Sequence, residues 1–361
     1  MSPRMPSSSF WQNKRVLLTG HTGFKGSWTS HLLENLGAEV HGFSIDIPTT
    51  PSLFEVSDVA SKLASDTRAD ICSEEAVASV FNKVRPEIVL HLAAQSLVLT
   101  GYSDPAGTFR TNVVGTLNVL DAIRTTASVK AAVMVTTDKV YKNLEWVFPY
   151  REIDSLGGSD PYSASKSAAE MVVTGYQSLT QRIDGPVAVS ARAGNVIGGG
   201  DWSPGRLLPD LIKVMESGST LVVRNPTATR PWQHVLDPVA GYLLLAELVY
   251  ENTSSKFPRS WNFGPSVSSV QSVNFVIDTV AQIAGKQIDS QAPKESQPSE
   301  HQLLALDSTQ AHHLLSWTPK LAFKESLRWT LKWHEALGAD VNMREFTEQQ
   351  IDQYLELGLS Q

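Results

Sequence analysis

Short apolar, β-branched runs alternate with longer stretches of mixed character along the first half of the chain. The runs at 15–19, 39–45, 87–93, 131–136 and 187–192 have the length and composition of buried strands. Between them, apolar positions recur at i, i+3 and i+4 over 24–36, 73–84, 109–125 and 162–181, the spacing of helices that bury one face. Ser73 stands where an N-cap is wanted, and a further short strand is expected just before Asp70. Strand and helix in alternation predict βαβ units, hence a parallel sheet with right-handed crossovers that binds ligands at the carboxyl ends of its strands. Beyond about residue 196 the pattern loosens. Gly198, Gly199 and Gly200, then Pro204, Pro209, Pro226, Pro231 and Pro238, punctuate shorter helices, with a late strand near 261–263 and helices near 270–284 and 323–337. The fold class expected is α/β: a Rossmann-type doubly wound parallel sheet with a smaller C-terminal substrate-binding lobe. Residues 1–195 are assigned to the core and 196–361 mainly to the lobe, with a strand at 260–264 returning to the core. No internal repeat is visible, and the Ser-, Gln- and Pro-rich stretch 287–302 reads as a surface loop.

Composition narrows the function classes. The 361 residues are 42% hydrophobic and 19% charged, which supports a large core rather than disorder. A formal net charge of −7 with both signs interspersed leaves no basic stripe to neutralise phosphates, so nucleic acid is not an expected partner. Cys72 is the sole cysteine, which excludes internal disulfides and multi-cysteine metal sites; no metal is expected, and a reducing compartment is. No apolar run reaches the roughly 18 residues of a membrane helix. Residues 1–10 lack the apolar core of a secretion signal, so a cytoplasmic enzyme is expected.

The strand at 15–19 runs directly into Gly20-His21-Thr22-Gly23-Phe24-Lys25-Gly26 and then a helix, the order that dinucleotide binding requires. Gly20 permits a tight turn, Gly23 lets the backbone approach a pyrophosphate, and Gly26 lets the helix pack on the sheet, with helix N–H groups facing the phosphates. Asp46 follows the second strand roughly 20 residues on, where a carboxylate accepts both ribose hydroxyls and repels a 2′-phosphate. NAD is therefore expected over NADP, although Lys25 and His21 lie close by. Asp70 and Ile71 either flank the adenine or, for the Asp, cap a helix.

Tyr162-Ser163-Ala164-Ser165-Lys166 places a phenol and an ammonium one helical turn apart, on the same side of a helix. A phenol of pKa ~10 is a poor base near neutrality; an adjacent ammonium and a positive nicotinamide stabilise its phenolate. The three-residue glycine spacing, this Tyr-x-x-x-Lys pair, His91-Leu92-Ala93-Ala94-Gln95 after a strand, and Asn112 within 111–116 together resemble the extended short-chain dehydrogenase/reductase family over nearly the whole chain. The resemblance implies that Leu92, Ala93, Ala94, Gln95, Asn112 and Thr136 line the cofactor with Gly20, Gly23, Phe24, Lys25 and Gly26, and that Tyr162 and Lys166 meet the nicotinamide.

Thr137-Asp138-Lys139 narrows the chemistry further. Epimerases of the family have small hydroxyl residues here, whereas its sugar-nucleotide 4,6-dehydratases have Thr-Asp-Glu, whose Asp protonates the departing 6-hydroxyl and whose Glu removes the C5 proton. This chain keeps the Asp and has Lys for Glu, the pattern of the branch acting on CDP-glucose. The C5 base is then open: Lys139 serves if its pKa is depressed, or else stabilises the enolate as a cation. The segments 52–55, 193–202, 206–210 and 230–235 are similar to the family's substrate loops. They suggest Asn195, Arg206, Leu207, Arg230, Trp232 and His234 as substrate-binding, with the arginines offering forked donors to a pyrophosphate. Apolar faces on 113–123 and on the Tyr162 helix resemble the family's four-helix dimer seam, so a homodimer or dimer of dimers is expected. The rival expectations are a sugar-nucleotide 4-epimerase and a non-catalytic NAD-binding regulator.

Overall fold

The strands take their places because both faces of the sheet are covered. The computed structural model describes residues 4–181, 186–252, 257–293 and 301–358. Among them, β1 (Arg15–Thr19), β2 (Glu39–Ser44), β3 (Ser65–Arg68), β4 (Ile88–His91), β5 (Ala131–Val135), β6 (Val187–Ala193) and β7 (Ser260–Phe263) form one sheet in the order β7-β6-β5-β4-β1-β2-β3. Every pairing is parallel. Alternate residues serve opposite layers: Val16, Leu18, Ile88, Leu90, Val133 and Val189 join one apolar core, while Leu17, Val89, Ala132, Met134 and Ala188 join the other. That double burial is why these strands read as unbroken apolar runs. Strand order reverses between β1 and β4, and a crevice at the carboxyl ends of these strands is where a doubly wound sheet binds its ligand.

One layer holds α1 (Phe24–Asn35) and the other α2 (Glu74–Val84), α3 (Thr116–Thr125) and α4 (Pro161–Gln181). Ser73 caps α2, its hydroxyl accepting from the Ala76 N–H. The helix expected over 109–125 is not continuous. A short helix Pro105–Phe109 leads into a π-helical segment, Arg110–Gly115, before α3 begins. That segment buries Asn112 and seats Gly115 on Ile71, where an added Cβ would come within 2.5 Å of the isoleucine. Single π-turns of this kind recur at functional sites.

Past residue 196 the helices are not all short. Leu236–Glu251 (α5) is buried along most of its length and belongs to the same core as α1 and the sheet. A helix apolar all round has no amphipathic stripe, so periodicity could not mark it. Leu207–Ser217, Val273–Ala284 and Phe323–Gly338 enclose a separate apolar cluster containing Leu211, Val280 and Leu327. A terminal helix, Met343–Glu356, returns to the core through Ile351 and Tyr354. In the stretch 287–302, Ser290–Gln291 pairs with Leu221–Val222; residues 294–300 lie outside the described ones. No described helix is long and apolar enough to cross a membrane.

Candidate active site

The glycine turn is fixed by close packing at two of its three glycines. Gly20 has φ +76°, and a Cβ there would lie 2.6 Å from the Ala93 backbone nitrogen; one on Gly26 would lie 2.0 Å from the Gly20 carbonyl oxygen. Neither site admits a side chain. Gly23, by contrast, meets nothing nearer than 3.4 Å and is the N-cap of α1, which leaves its backbone open at a helix N-terminus. Thr22 Oγ1 donates to the Asp46 carbonyl at 2.5 Å, and the Asp46 side chain is exposed beyond β2. A bare glycine edge at a helix N-terminus beside an exposed carboxylate fits a dinucleotide. His21 is turned inward instead: its Nδ1 meets Ser44 Oγ at 2.9 Å and its Nε2 meets Asp66 at 3.0 Å, and burial lowers its pKa. We expect NAD to bind more tightly than NADP, and Asp46→Ala to narrow that gap about tenfold, the effect of removing ~1.4 kcal/mol of repulsion. Equal affinities for the two cofactors in the parent protein, by titration calorimetry, would remove Asp46 from this role.

The loop after β4 is held by its own polar side chains. Asn112 Oδ1 accepts from Gln95 N at 2.9 Å, while its Nδ2 donates to Gln95 O at 3.0 Å and Ser165 Oγ at 2.9 Å. Its amide thus ties residues 92–95 to α4. His91 bridges Thr19 and Thr116, and burial pushes it down to about 3, so it stays neutral. Asp70 accepts from the Cys72 N–H at 2.8 Å in a local turn ahead of Ser73, the N-cap of α2, and Ile71 is buried under Gly115.

At the end of β5 the side chains point to opposite duties. Thr136 Oγ1 donates to buried Glu170 at 2.5 Å, while Thr137 caps the turn Asp138–Val140 and donates to Asp138 Oδ1 at 3.0 Å. Asp138 is 0% exposed; its Oδ1 also accepts from Lys139 Nζ at 3.1 Å, and its Oδ2 has no partner. Tyr162 is hydrogen-bonded to Thr137, yet burial pushes its phenol up to about 12. Lys166 Nζ donates to the Val135 carbonyl at 3.1 Å and is itself lowered to about 8, chiefly by burial, with Glu170 opposing.

Lys139 Nζ also reaches Asn195 Oδ1 at 3.5 Å, and Arg206, half-exposed, pairs with Asp201 at 3.0 Å within electrostatic range of Tyr162. Thr137, Asp138, Lys139, Tyr162, Asn195 and Arg206 are therefore brought close together, with Lys166 one helical turn beyond Tyr162 and Leu207 starting the helix beside Arg206. Three other residues expected at the substrate are placed in packing. Trp232 is 4% exposed in the lobe core with its indole N–H on the Gln271 carbonyl. His234 is 0% exposed between Trp28 and Trp329. Buried Arg230 donates to the Thr229 carbonyl at 2.8 Å. Sequence reasoning missed the buried pair Glu170–Arg192 below the site and the direction of Lys25, whose charged neighbours are Arg206, Lys166, Asp138 and Lys139. No group of three or more His, Cys, Asp or Glu fit to hold a metal occurs among the described residues.

Comparison with known proteins identifies the family and the fold. The family model described as GDP-mannose 4,6 dehydratase matches residues 17–330. The chain is similar to CDP-glucose 4,6-dehydratase of Salmonella typhimurium, 40% identical over 356 residues that cover 97% of this chain and 99% of the relative. Among solved structures, UDP-glucose 4-epimerase of Thermus thermophilus in complex with NAD superposes with a TM-score of 0.74 at 26% identity, covering 88% of this chain and 98% of the epimerase. The fold is likewise that of dTDP-glucose 4,6-dehydratase from Bacillus anthracis, with a TM-score of 0.75 at 21% identity, over 92% of this chain and 99% of that one.

Proposed function

The chain belongs to the GDP-mannose 4,6 dehydratase family, and from that membership we propose that it is an NAD-dependent hydro-lyase converting CDP-D-glucose to CDP-4-keto-6-deoxy-D-glucose and water. The observation that carries the reading is Asp138, a fully buried carboxylate with one oxygen unpartnered, set beside Thr137 and within electrostatic reach of Tyr162. An epimerase has no use for such an acid; an elimination does. Residues 1–195 hold the cofactor and 196–361 mainly the substrate. The exposed apolar side chains of Val114, Leu117 and Met171 support pairing of two copies, and an unpaired Cys72 thiol fits the cytoplasm.

When bound, NAD supplies a hydride acceptor and donor and a positive ring that favours the phenolate of Tyr162. Tyr162 then takes the proton of the 4-hydroxyl, and Thr137, whose single O–H points at Asp138 Oδ1, turns it to the new carbonyl once Asp138 carries the proton. The hydrogen-bonded series Tyr162, Thr137, Asp138 joins the group that gains a proton to the group that must give one. Asp138 protonates the 6-hydroxyl as it leaves, so the proton lost from O4 ends in water. The ketone acidifies C5, and Lys139, ion-paired at 3.1 Å to Asp138, stands as a cation where negative charge develops on the sugar.

Hydrogen tracing tests the proposal. Deuterium placed at C4 of CDP-glucose should reappear at C6 of a 4-keto-6-deoxy product, with C5 acquiring hydrogen from solvent and no free NADH released. Return of the label to C4 would mean an epimerase. An unchanged sugar would mean a regulator, and stoichiometric NADH release a simple dehydrogenase.

A further inference from the structure

A general acid works only within hydrogen-bond reach of the group it serves, and a misplacement of about 1 Å can cost on the order of a hundredfold. The contacts of Asp138 do little to hold it there. Its Oδ1 is met by Thr137 and Lys139, its two neighbours in sequence, and its Oδ2 has no partner among the described residues. Lys139 reaches beyond the turn to Asn195, but at 3.5 Å. Partners that ride on the same turn cannot fix the carboxyl against the sheet. Its place is set instead by how the turn Asp138–Val140 is fastened at its two ends.

Both ends lead to the same ion pair. Before the turn, Thr136 donates through its backbone N–H to the Ala191 carbonyl at 2.8 Å and through Oγ1 to Glu170 at 2.5 Å. After it, the Tyr141 phenol accepts from Arg192 Nη1 at 2.8 Å, and Arg192 grips Glu170 through Nε and Nη2. The phenol proton goes to Asn262 Oδ1 on β7 at 2.7 Å. Asn262 Nδ2 is committed to the Tyr150 and Asp307 carbonyls, which fixes the amide with its oxygen toward Tyr141. The Tyr141 ring is buried and stacks on Tyr150 with centroids 5.1 Å apart. The Val140 carbonyl adds a second fastening at this end: it accepts from the Gly157 N–H at 2.8 Å and lies 2.8 Å from the Ser167 hydroxyl of α4. A phenylalanine would fill the ring's place, but it could neither accept from Arg192 nor donate to Asn262.

We infer that Tyr141 is a positioning residue for the elimination: its hydroxyl, seconded by that of Ser167, anchors the far end of the turn and so holds the Asp138 carboxyl at the departing 6-hydroxyl. The inference rests on the dehydratase reading. In this role Tyr141 touches neither sugar nor cofactor and exchanges no proton with either; it acts through Asp138. Oxidation at C4 uses Tyr162 on α4, which the Glu170–Arg192 contact holds without the phenol.

Tyr141→Phe, loaded with NAD and mixed with CDP-glucose, separates the two half-reactions. C4 oxidation, read as the absorbance rise of bound NADH, should stay within about threefold of the parent, while product formation falls at least about tenfold, so that bound NADH accumulates. In the Asp138→Asn background the same change should slow elimination no further, because a residue that acts through Asp138 has nothing left to position. A fall in product formation of less than about tenfold overturns the inference. So does an equal loss in both half-reactions, which means a general loosening of the fold, or an additive loss in the double variant, which means a role apart from Asp138. Ser167→Ala decides if Tyr141→Phe does not fold: elimination must slow selectively by at least about threefold, or this anchor is not what holds Asp138. A parent protein that forms no 4-keto-6-deoxy sugar overturns the dehydratase reading and the inference with it, a failure read without any variant.

Discussion

Asp138→Asn is expected to reduce its bound cofactor on meeting CDP-glucose and then to stop, with elimination about a thousandfold slower than in the parent. The reason lies in how the two carboxylate oxygens are used. Oδ1 accepts from Thr137 and Lys139, and an amide oxygen can keep both bonds. Oδ2 is buried without a partner, beside the Gly194 backbone, where an added Cβ would come within 3.0 Å of it. An unsatisfied buried carboxylate oxygen costs roughly 1–3 kcal/mol or more, a penalty that persists where the atom has a ligand to serve. In the variant that position becomes an N–H₂ group, which can donate a hydrogen bond to the 6-hydroxyl but cannot transfer a proton to it. Oxidation at C4 depends on Tyr162 and Thr137 and should remain within a few-fold. Stopped-flow absorbance at the nicotinamide band reports the first half-reaction, and product analysis by NMR reports the second. Undiminished dehydratase turnover would remove Asp138 from the mechanism.

The parts of this arrangement legible in sequence are those set by local rules. The strands announced themselves because they are apolar on both faces, and the glycine turn because Gly20 and Gly26 sit where the backbone leaves no room for a Cβ. Tyr162 and Lys166 share a helix face by their spacing alone, whereas Thr137 and Asp138 were singled out by their resemblance to the family's dehydratase motif at a strand end. What was not legible depends on contacts between distant segments. α5 is wrapped in core, so it lacks the periodic stripe that marks a surface helix. The π-helical turn at 110–115 accompanies the fit of Gly115 to Ile71 and the three hydrogen bonds of the Asn112 amide, none of which a helical repeat encodes. Trp232 and His234 lie in a segment resembling a substrate loop, yet they turn into core, and no pattern within that segment distinguishes inward from outward. Lys25 was legible only as a residue lining the cofactor turn; the folded chain shows Arg206, Lys166, Asp138 and Lys139 as its charged neighbours.

The largest stability effect should come from a residue that touches neither ligand. Glu170, on α4, is 2% exposed and receives a two-pronged contact from Arg192 on β6, with Nε at 2.9 Å and Nη2 at 2.8 Å. Thr136 and Ser190 complete its shell at 2.5 and 2.7 Å, and Arg192 continues through Tyr141 to Asn262 on β7. The pair therefore clamps α4, which carries Tyr162 and Lys166, onto three adjacent strands. Burial opposes the ionised carboxylate, but Arg192 and the hydroxyl donors outweigh it and hold the pKa below the usual 4.5. A depressed folded pKa means that this stabilisation is present above the unfolded value and is lost as pH falls through the folded one, so it is intact at neutrality. Glu170→Gln keeps the shape but leaves the Arg192 charge buried and unpaired, which should lower the unfolding free energy by about 3–5 kcal/mol. Replacing both partners, Glu170→Gln with Arg192→Met, removes the stranded charge and should recover part of that loss. Urea denaturation without added cofactor is the appropriate measurement, because a ligand that binds only the folded state would mask the difference. A single variant within about 1 kcal/mol of the parent would show that the ion pair does not hold the catalytic helix to the sheet.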